Sequence, residues 1–465
     1  MENKSIESST SSSAQPSLRK VIGIVYIWAL ASATIIGPWL IMTNWWFSLT
    51  GPSLSLAFLV TMLLMIPVGL CYGELTSMLP WAGGSYNFIG HAFGPGVSFI
   101  FMWWQTISYY AVIAFNILAP IYILQYARII PETTEALLAG ALIFTIIYAV
   151  LNWFKVEMSA TIQFLLFWLL FITGLIWNGF GLFASDKWTL SNFSPYFATG
   201  IEGFLTAAGV MVTMYFGFEV VAHMAQELKF PPKKSIYPVV GSIITAGFVY
   251  IVTLTAMAGI APMDYLANTP CVPGEIVYYV WGNTLWAHIG WVGIVLGGIA
   301  CALTCVDGFW LALSRLFYAL GEAKLFPKAF ARINKYGVPG IANIVVFLGL
   351  LPCILLSGTA WIQTLFVIMG LGIASVYLGA TLSFLKLRIS HPEWKRPYKA
   401  PAGYVVGVLG VFASIFCIYW SAVAMTLEGW YLTIGYLIFG AILYVYVLNI
   451  RRREGIKPEL MPPVE

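Results

Sequence analysis

Charge is what this sequence has little of. Asp, Glu, Lys and Arg together make 9% of the 465 residues, whereas hydrophobic residues make 60%. A soluble domain carries about 25% charged side chains, so this chain cannot cover its apolar surface in water. Histidine is scarce too: four residues, at 91, 223, 288 and 391, too scattered for a catalytic or metal cluster. Six cysteines make no disulfide framework. Cys71, Cys301, Cys305, Cys353 and Cys417 fall within apolar runs and Cys271 stands alone. Cys301 and Cys305 share a helix face at i, i+4, which is half of a tetrahedral zinc site; buried packing is the better reading. No cofactor or metal motif is present. No organised basic surface suggests nucleic acid, and no repeated filter segment suggests a channel.

What is present is a series of long apolar runs. They suit helices of about 20 residues and are too unbroken for barrel strands. Twelve spans are expected, at about 21–47, 53–72, 95–125, 136–152, 159–182, 203–227, 238–261, 288–316, 341–357, 361–386, 403–425 and 430–449. With both termini inside, all but Arg128 and Lys187 of the 23 basic residues fall on the inner side, as cytoplasmic loops require. The expected class is an all-α integral protein of the cell membrane, embedded in lipid. Residues 1–20 are expected as a disordered tail, 21–449 as one membrane domain and 450–465 as a second tail. The run after Lys20 is longer than a signal-peptide core, so it is expected to stay as the first span. The longest outer loop, about 262–287, is read as a small lid or cover.

Two runs are interrupted. "ASATIIGPWLIM" (31–42) places Gly37 and Pro38 inside the first span, where they cost roughly 1 and 3 kcal/mol relative to Ala. "YFGFE" places Gly217 inside the sixth. Pro at the first position of a new half-helix lacks only an N–H that would be orphaned anyway, and Gly37 gives freedom before it. Interrupted spans at matching places in two halves point to an inverted-repeat transporter. Non-helical backbone is tolerated at membrane depth only when covered by protein or lining a cavity, so the breaks are expected to share one.

Further blocks carry a family resemblance: "TIIGPWL", "GELTSMLPWAGGSYNFIGHAFGP", "YFGFEVVAHMAQELKFPPKKSIYPVV", "SRLFYALGEAKLFPKAFARINKYGVPGIANIV" and "LRISHPEWKRPYKAP". In this order they resemble the amino acid–polyamine–organocation (APC) transporters over most of the chain. The resemblance implies the five-plus-five inverted repeat of the LeuT-type fold, with repeats at about 21–182 and 203–386 and two extra helices at 403–449. It implies a permease for an amino acid or small amine, working by symport or exchange with a proton or sodium as candidate coupling ion. A polyamine or other organic cation is the alternative cargo. Oligomeric state is not legible.

The resemblance also places the substrate. Thr34, Ile35, Gly37 and Trp39 at the first break and Tyr215, Phe216 and Gly217 at the second are candidate contacts, with Trp104 from the third span. Where the family has Ser-Gly after the first glycine, this chain has Pro38-Trp39, a weaker carboxylate cradle that suits a substrate whose carboxylate is absent, distant or replaced. Trp39, Trp103, Trp104, Tyr215, Phe216 and Trp310 could wall a cation, although packing explains most aromatics. The lysine that proton-coupled relatives carry midway along span five is missing from "SATIQFLLFWLLFITG". Asp307 lies about nine residues from the inner end of span eight, roughly 14 Å, and an intramembrane carboxylate marks an ion or substrate path. Asp307 and Glu219 are therefore the candidates for coupling or gating. His223 is read as a satisfied interior histidine, and Glu74 and Arg315 as interfacial pairs.

Overall fold

The computed structural model describes residues 18–37, 39–154, 156–356 and 362–464. Pro38, on which part of the first-break expectation falls, lies outside the described residues, as does most of the N-terminal tail. The helices are α1 (Ile24–Ile35), α2 (Trp39–Thr50), α3 (Leu54–Met78), α4 (Ser85–Phe93), α5 (Pro95–Tyr126), α6 (Thr134–Leu151), α7 (Val156–Thr173), α8 (Gly181–Phe183) and α9 (Gly200–Val210). They continue as α10 (Val220–His223), α11 (Ile236–Ile260), α12 (Met263–Asn268), α13 (Val272–Trp281), α14 (Leu285–Glu322), α15 (Gly340–Leu356), α16 (Ile362–Ser390), α17 (Tyr404–Val423) and α18 (Leu427–Arg453).

Among the described residues nine helices are long and apolar enough to cross a membrane. Three shorter apolar helices, Ile24–Ile35, Gly200–Met214 and Gly340–Leu355, overlap the expected first, sixth and ninth spans. The first two are short because the chain leaves the helix at Gly37 and before Gly217. Thr133, Thr284 and Thr426 each accept a backbone N–H from three residues on and so cap the starts of α6, α14 and α18.

Burial sorts the helices into an interior and a shell. The apolar windows of α5 and α16 are 83% buried, that of α18 only 11%. The shell shows bare aliphatic side chains, such as Ile143, Ile146 and Ile147 on α6 and Ile438, Ile442 and Val445 on α18. Whole helices exposing such rows are stable only against lipid, where their backbone polar groups are already paired within the helix. The outer segment expected as a lid forms α12 and α13. After α18 the chain turns back: Glu459 N donates to Ala323 O (3.0 Å) and Val464 N to Met78 O (3.1 Å), so the expected C-terminal tail lies against the ends of α3 and α14.

Candidate functional site

The interior helices bring the two interruptions into contact. After α9 the chain tightens into a 3-10 turn at Met211–Met214 and re-enters helix only at Val220. Gly217 between them has φ +128°, a conformation costly for any residue with a Cβ. A Cβ there would lie 3.0 Å from Ile35 N and 3.1 Å from Thr34 C. The backbones of the two breaks therefore touch, and glycine alone permits the approach.

Each break leaves polar backbone groups without helical partners, and neighbours supply them. At the first, Gly37 N donates to the Tyr250 hydroxyl (2.9 Å), which itself donates to Ile35 O (3.1 Å). The Cys305 thiol of α14 donates to Thr34 O (3.1 Å), and the Cys301 thiol lies between Ile36 O and Gly37 O, 2.9 Å from the latter. The Thr304 hydroxyl reaches Ala33 O (3.3 Å) while also bonding Cys301 O (2.7 Å). At the second break the partner is Glu219, fully buried. Its carboxylate accepts from Gly217 N (2.8 Å), the Tyr109 hydroxyl (3.0 Å) and the Tyr377 hydroxyl (2.9 Å). His223, also buried, meets Gln105 (3.1 Å), which bonds Tyr109 and Ser85 in turn.

Between the breaks lies a cavity of about 10 Å³, the room that one water needs. Its walls include Val112, Phe115, Phe309 and Phe366, with Met214 and Met369, whose flexible side chains can yield. Among the described residues no Asp, Glu, Lys or Arg lines it. Asn116, on α5, lines it; its Nδ2 donates to Val112 O (2.8 Å), and its buried Oδ1 has no partner among the described residues. Since Val112 O can only accept, the amide orientation is fixed and the oxygen is the free atom.

Of the sequence candidates, Thr34, Ile35, Gly37 and Phe216 line this cavity; Gly217 does not, and packs instead against the backbone of Thr34 and Ile35. Phe216 stacks on Phe309 with centroids 4.6 Å apart. The other aromatics diverge. Tyr215 turns to Phe58 O (2.9 Å), Trp103 stacks on Tyr436 of α18 at 4.9 Å, Trp310 bonds Asn343, and Trp104 packs beside Gly372. Trp39 is buried next to Gly174. Asp307 is buried and accepts from Asn152, the residue after α6 (2.9 Å), while residues 301, 304, 305 and 308 of α14 face the first break.

Away from the cavity the breaks are tied again. Val21 N and Ile22 N both donate to Glu227 O (2.9 Å each), and Arg315 grips the Glu227 carboxylate through Nε (2.8 Å) and Nη2 (3.0 Å), both side chains buried. Glu74 pairs with Arg388 and with Arg396 (3.3 Å). The sequence reading missed Asn116, Tyr250 and Glu227. Asn116 alone left a signal, as a carboxamide inside the apolar run "AVIAFNILAP".

Buried breaks facing one another inside a helical membrane bundle define, first, a class: a multi-pass membrane permease. The chain belongs to the amino acid permease family, whose model matches residues 17–448, and so to the APC superfamily. That family is one of transporters rather than enzymes. The chain is 23% identical over 463 residues to a branched-chain amino acid permease of Bacillus subtilis, covering 96% of each protein. It is 24% identical to mouse solute carrier family 7 member 12, over 77% of this chain and 76% of that relative. It is 22% identical to an aspartate-proton symporter of Bacillus subtilis, over 88% of this chain and 81% of the relative.

Proposed function

We infer that this permease carries a neutral amino acid with an apolar side chain, bound between the two breaks of a twelve-span, five-plus-five inverted-repeat bundle in the cell membrane with both termini inside. The supporting observation is the cavity itself: apolar walls with no ionised side chain, and one free carboxamide oxygen, that of Asn116. An ammonium group would take that oxygen. Leaving a buried charge unpaired is costly, so a side-chain charge, added to the α-ammonium and α-carboxylate that every amino acid carries, would meet walls that offer it nothing. The branched-chain name of one relative agrees with this chemistry; the aspartate name of another marks a family that varies its pocket. A polyamine would bring at least two ammonium groups to a cavity with one free carboxamide oxygen, so the walls also favour an amino acid over a polyamine.

Transport requires the cavity to grow and the inner ties at Glu227 to part. Glu219, bonded to the second break and to α5 and α16, is the natural gating group, and Asp307 the candidate for coupling or exchange. Purified protein in liposomes tests the reading. Uptake of leucine, isoleucine or valine is expected, with lysine, aspartate and putrescine failing to compete. Uptake of putrescine or lysine in preference to leucine would overturn it.

A further inference from the structure

α5 has a second working face. Val112, Phe115 and Asn116 turn toward the breaks, whereas Trp103, Ile107, Tyr110 and Ala111, on the opposite face, line a groove of about 760 Å³ between α5, α14, α15, α16 and α18. Protein interiors do not hold empty space of this size. The hydroxyls and the indole on its wall are already bonded: Tyr110 to Val345 O (3.2 Å), Tyr436 to Thr106 (2.6 Å) and Trp103 Nε1 to Tyr436 O (2.9 Å). The groove therefore offers a polar ligand little, and hydrocarbon a dry wall. Along α18 it runs from Leu432 to Leu443, about 17 Å at 1.5 Å per residue. Half of a bilayer's hydrocarbon core is about 15 Å, so the groove is as tall as the acyl chain of one leaflet.

One end of the groove is basic. Phe326 closes the wall there; it follows Leu325, whose O accepts from Arg451 in the last turn of α18 (3.0 Å). It also packs on Phe330, in the turn Lys328–Ala331. Lys328, Arg332, Arg452 and Arg453 are exposed around this end, and among the described residues none of them is in an ion pair. The acidic groups beside them are engaged: Glu459 by Lys324 (2.6 Å), Glu454 by Arg451 (2.6 Å) and Glu322 by Tyr318.

We propose that this groove binds one anionic phospholipid, with an acyl chain along α18 and the phosphate against Lys328 and Arg452 at the mouth. The chain matches the height and the apolar wall; the headgroup matches the unpaired positive charge, which draws anionic lipids to the ends of membrane helices. Tyr110 faces the groove, and Tyr109 beside it bonds Glu219. The bound chain thus props the helix that holds the second break.

The test reads lipid binding and so stands whatever the substrate is. Native mass spectrometry of the delipidated full chain is run with phosphatidylglycerol and phosphatidylcholine of identical chains. One phosphatidylglycerol per protein is expected to bind more tightly than phosphatidylcholine and to raise the thermal midpoint further. Lys328→Gln/Arg452→Gln should bind phosphatidylglycerol about thirtyfold more weakly, the scale of two basic side chains at a membrane surface, and phosphatidylcholine as before. Leu432→Trp/Leu443→Trp fills the groove from α18 and should weaken both lipids. Glycerophosphoglycerol, the headgroup without chains, should leave the midpoint unchanged. Equal binding of the two lipids by the wild type overturns the proposal, as does a headgroup that stabilises as well as the whole lipid. Tight binding that survives filling of the groove places the lipid elsewhere and overturns it too. A wild-type dimer that takes up no phosphatidylglycerol, and that the tryptophan variant splits, would give the groove to a second copy instead. The charge variant lies on the surface and decides the matter even where the tryptophan variant fails to insert.

Discussion

The two breaks solve the same problem with opposite chemistry. The first exposes carbonyls and is held by hydroxyls and thiols from α11 and α14; the second exposes an amide, Gly217 N, and is held by a carboxylate. The first partners are neutral and distributed, the second charged and single. Distributed neutral donors make a rigid edge, because no single protonation event releases them. One carboxylate shared among a backbone amide and two tyrosines makes an edge that a proton can loosen, since a protonated oxygen no longer accepts as well. The first break is therefore suited to be the fixed wall of the site and the second to be its moving part.

Removing the single partner should cost most. Glu219→Ala strands Gly217 N and the hydroxyls of Tyr109 and Tyr377 at roughly 1–3 kcal/mol each. Uptake is expected to fall by at least about a hundredfold, the lower end of that sum; retention of most activity would show that the second break does not depend on its carboxylate. Gly217→Ala comes next. Its φ of +128° and the contact with Ile35 N allow no Cβ without pushing the breaks apart, so substrate binding should weaken with the protein still inserted. Normal binding in that variant would mean the two backbones need not touch.

Tyr250→Phe probes the other side of the comparison. It removes one donor and one acceptor from a break that keeps three α14 donors, and should reduce uptake by several-fold, less than Glu219→Ala. An effect equal to the carboxylate's would erase the proposed difference between fixed and moving walls. Asp307→Asn is expected to change least in binding, because Asn152 holds it outside the cavity. Its signature would be a flattened pH dependence of uptake; wild-type pH dependence would remove Asp307 from coupling.

The breaks were legible in the sequence because interruptions fell at matching places in two halves; proline in an apolar run was not enough, since Pro67 and Pro120 lie inside unbroken helices. The basic residues were read as topological marks, since charge in a membrane protein concentrates at its edges. What holds the breaks was not. Tyr250 lies 213 residues from Gly37, and Cys305 lies 271 from Thr34. Both bond to backbone, which carries no residue-specific signal. Cys301 and Cys305 were visible as neighbours on a face without any sign of what faced them. The aromatic wall erred on the side of abundance. With 16% aromatic residues, most rings find partners on adjacent helices, and Phe216 alone of the six proposed lines the cavity.

The central claim is that substrate sits between the breaks, against Asn116. Equilibrium binding of labelled leucine to Asn116→Leu, set beside Trp104→Ala, tests it most directly. Asn116→Leu removes the free oxygen while keeping the size of the side chain, and should weaken binding at least about tenfold, the loss of a hydrogen bond to a charged group. Trp104→Ala, outside the cavity, should bind as the wild type does. Unaltered binding in Asn116→Leu would contradict the account.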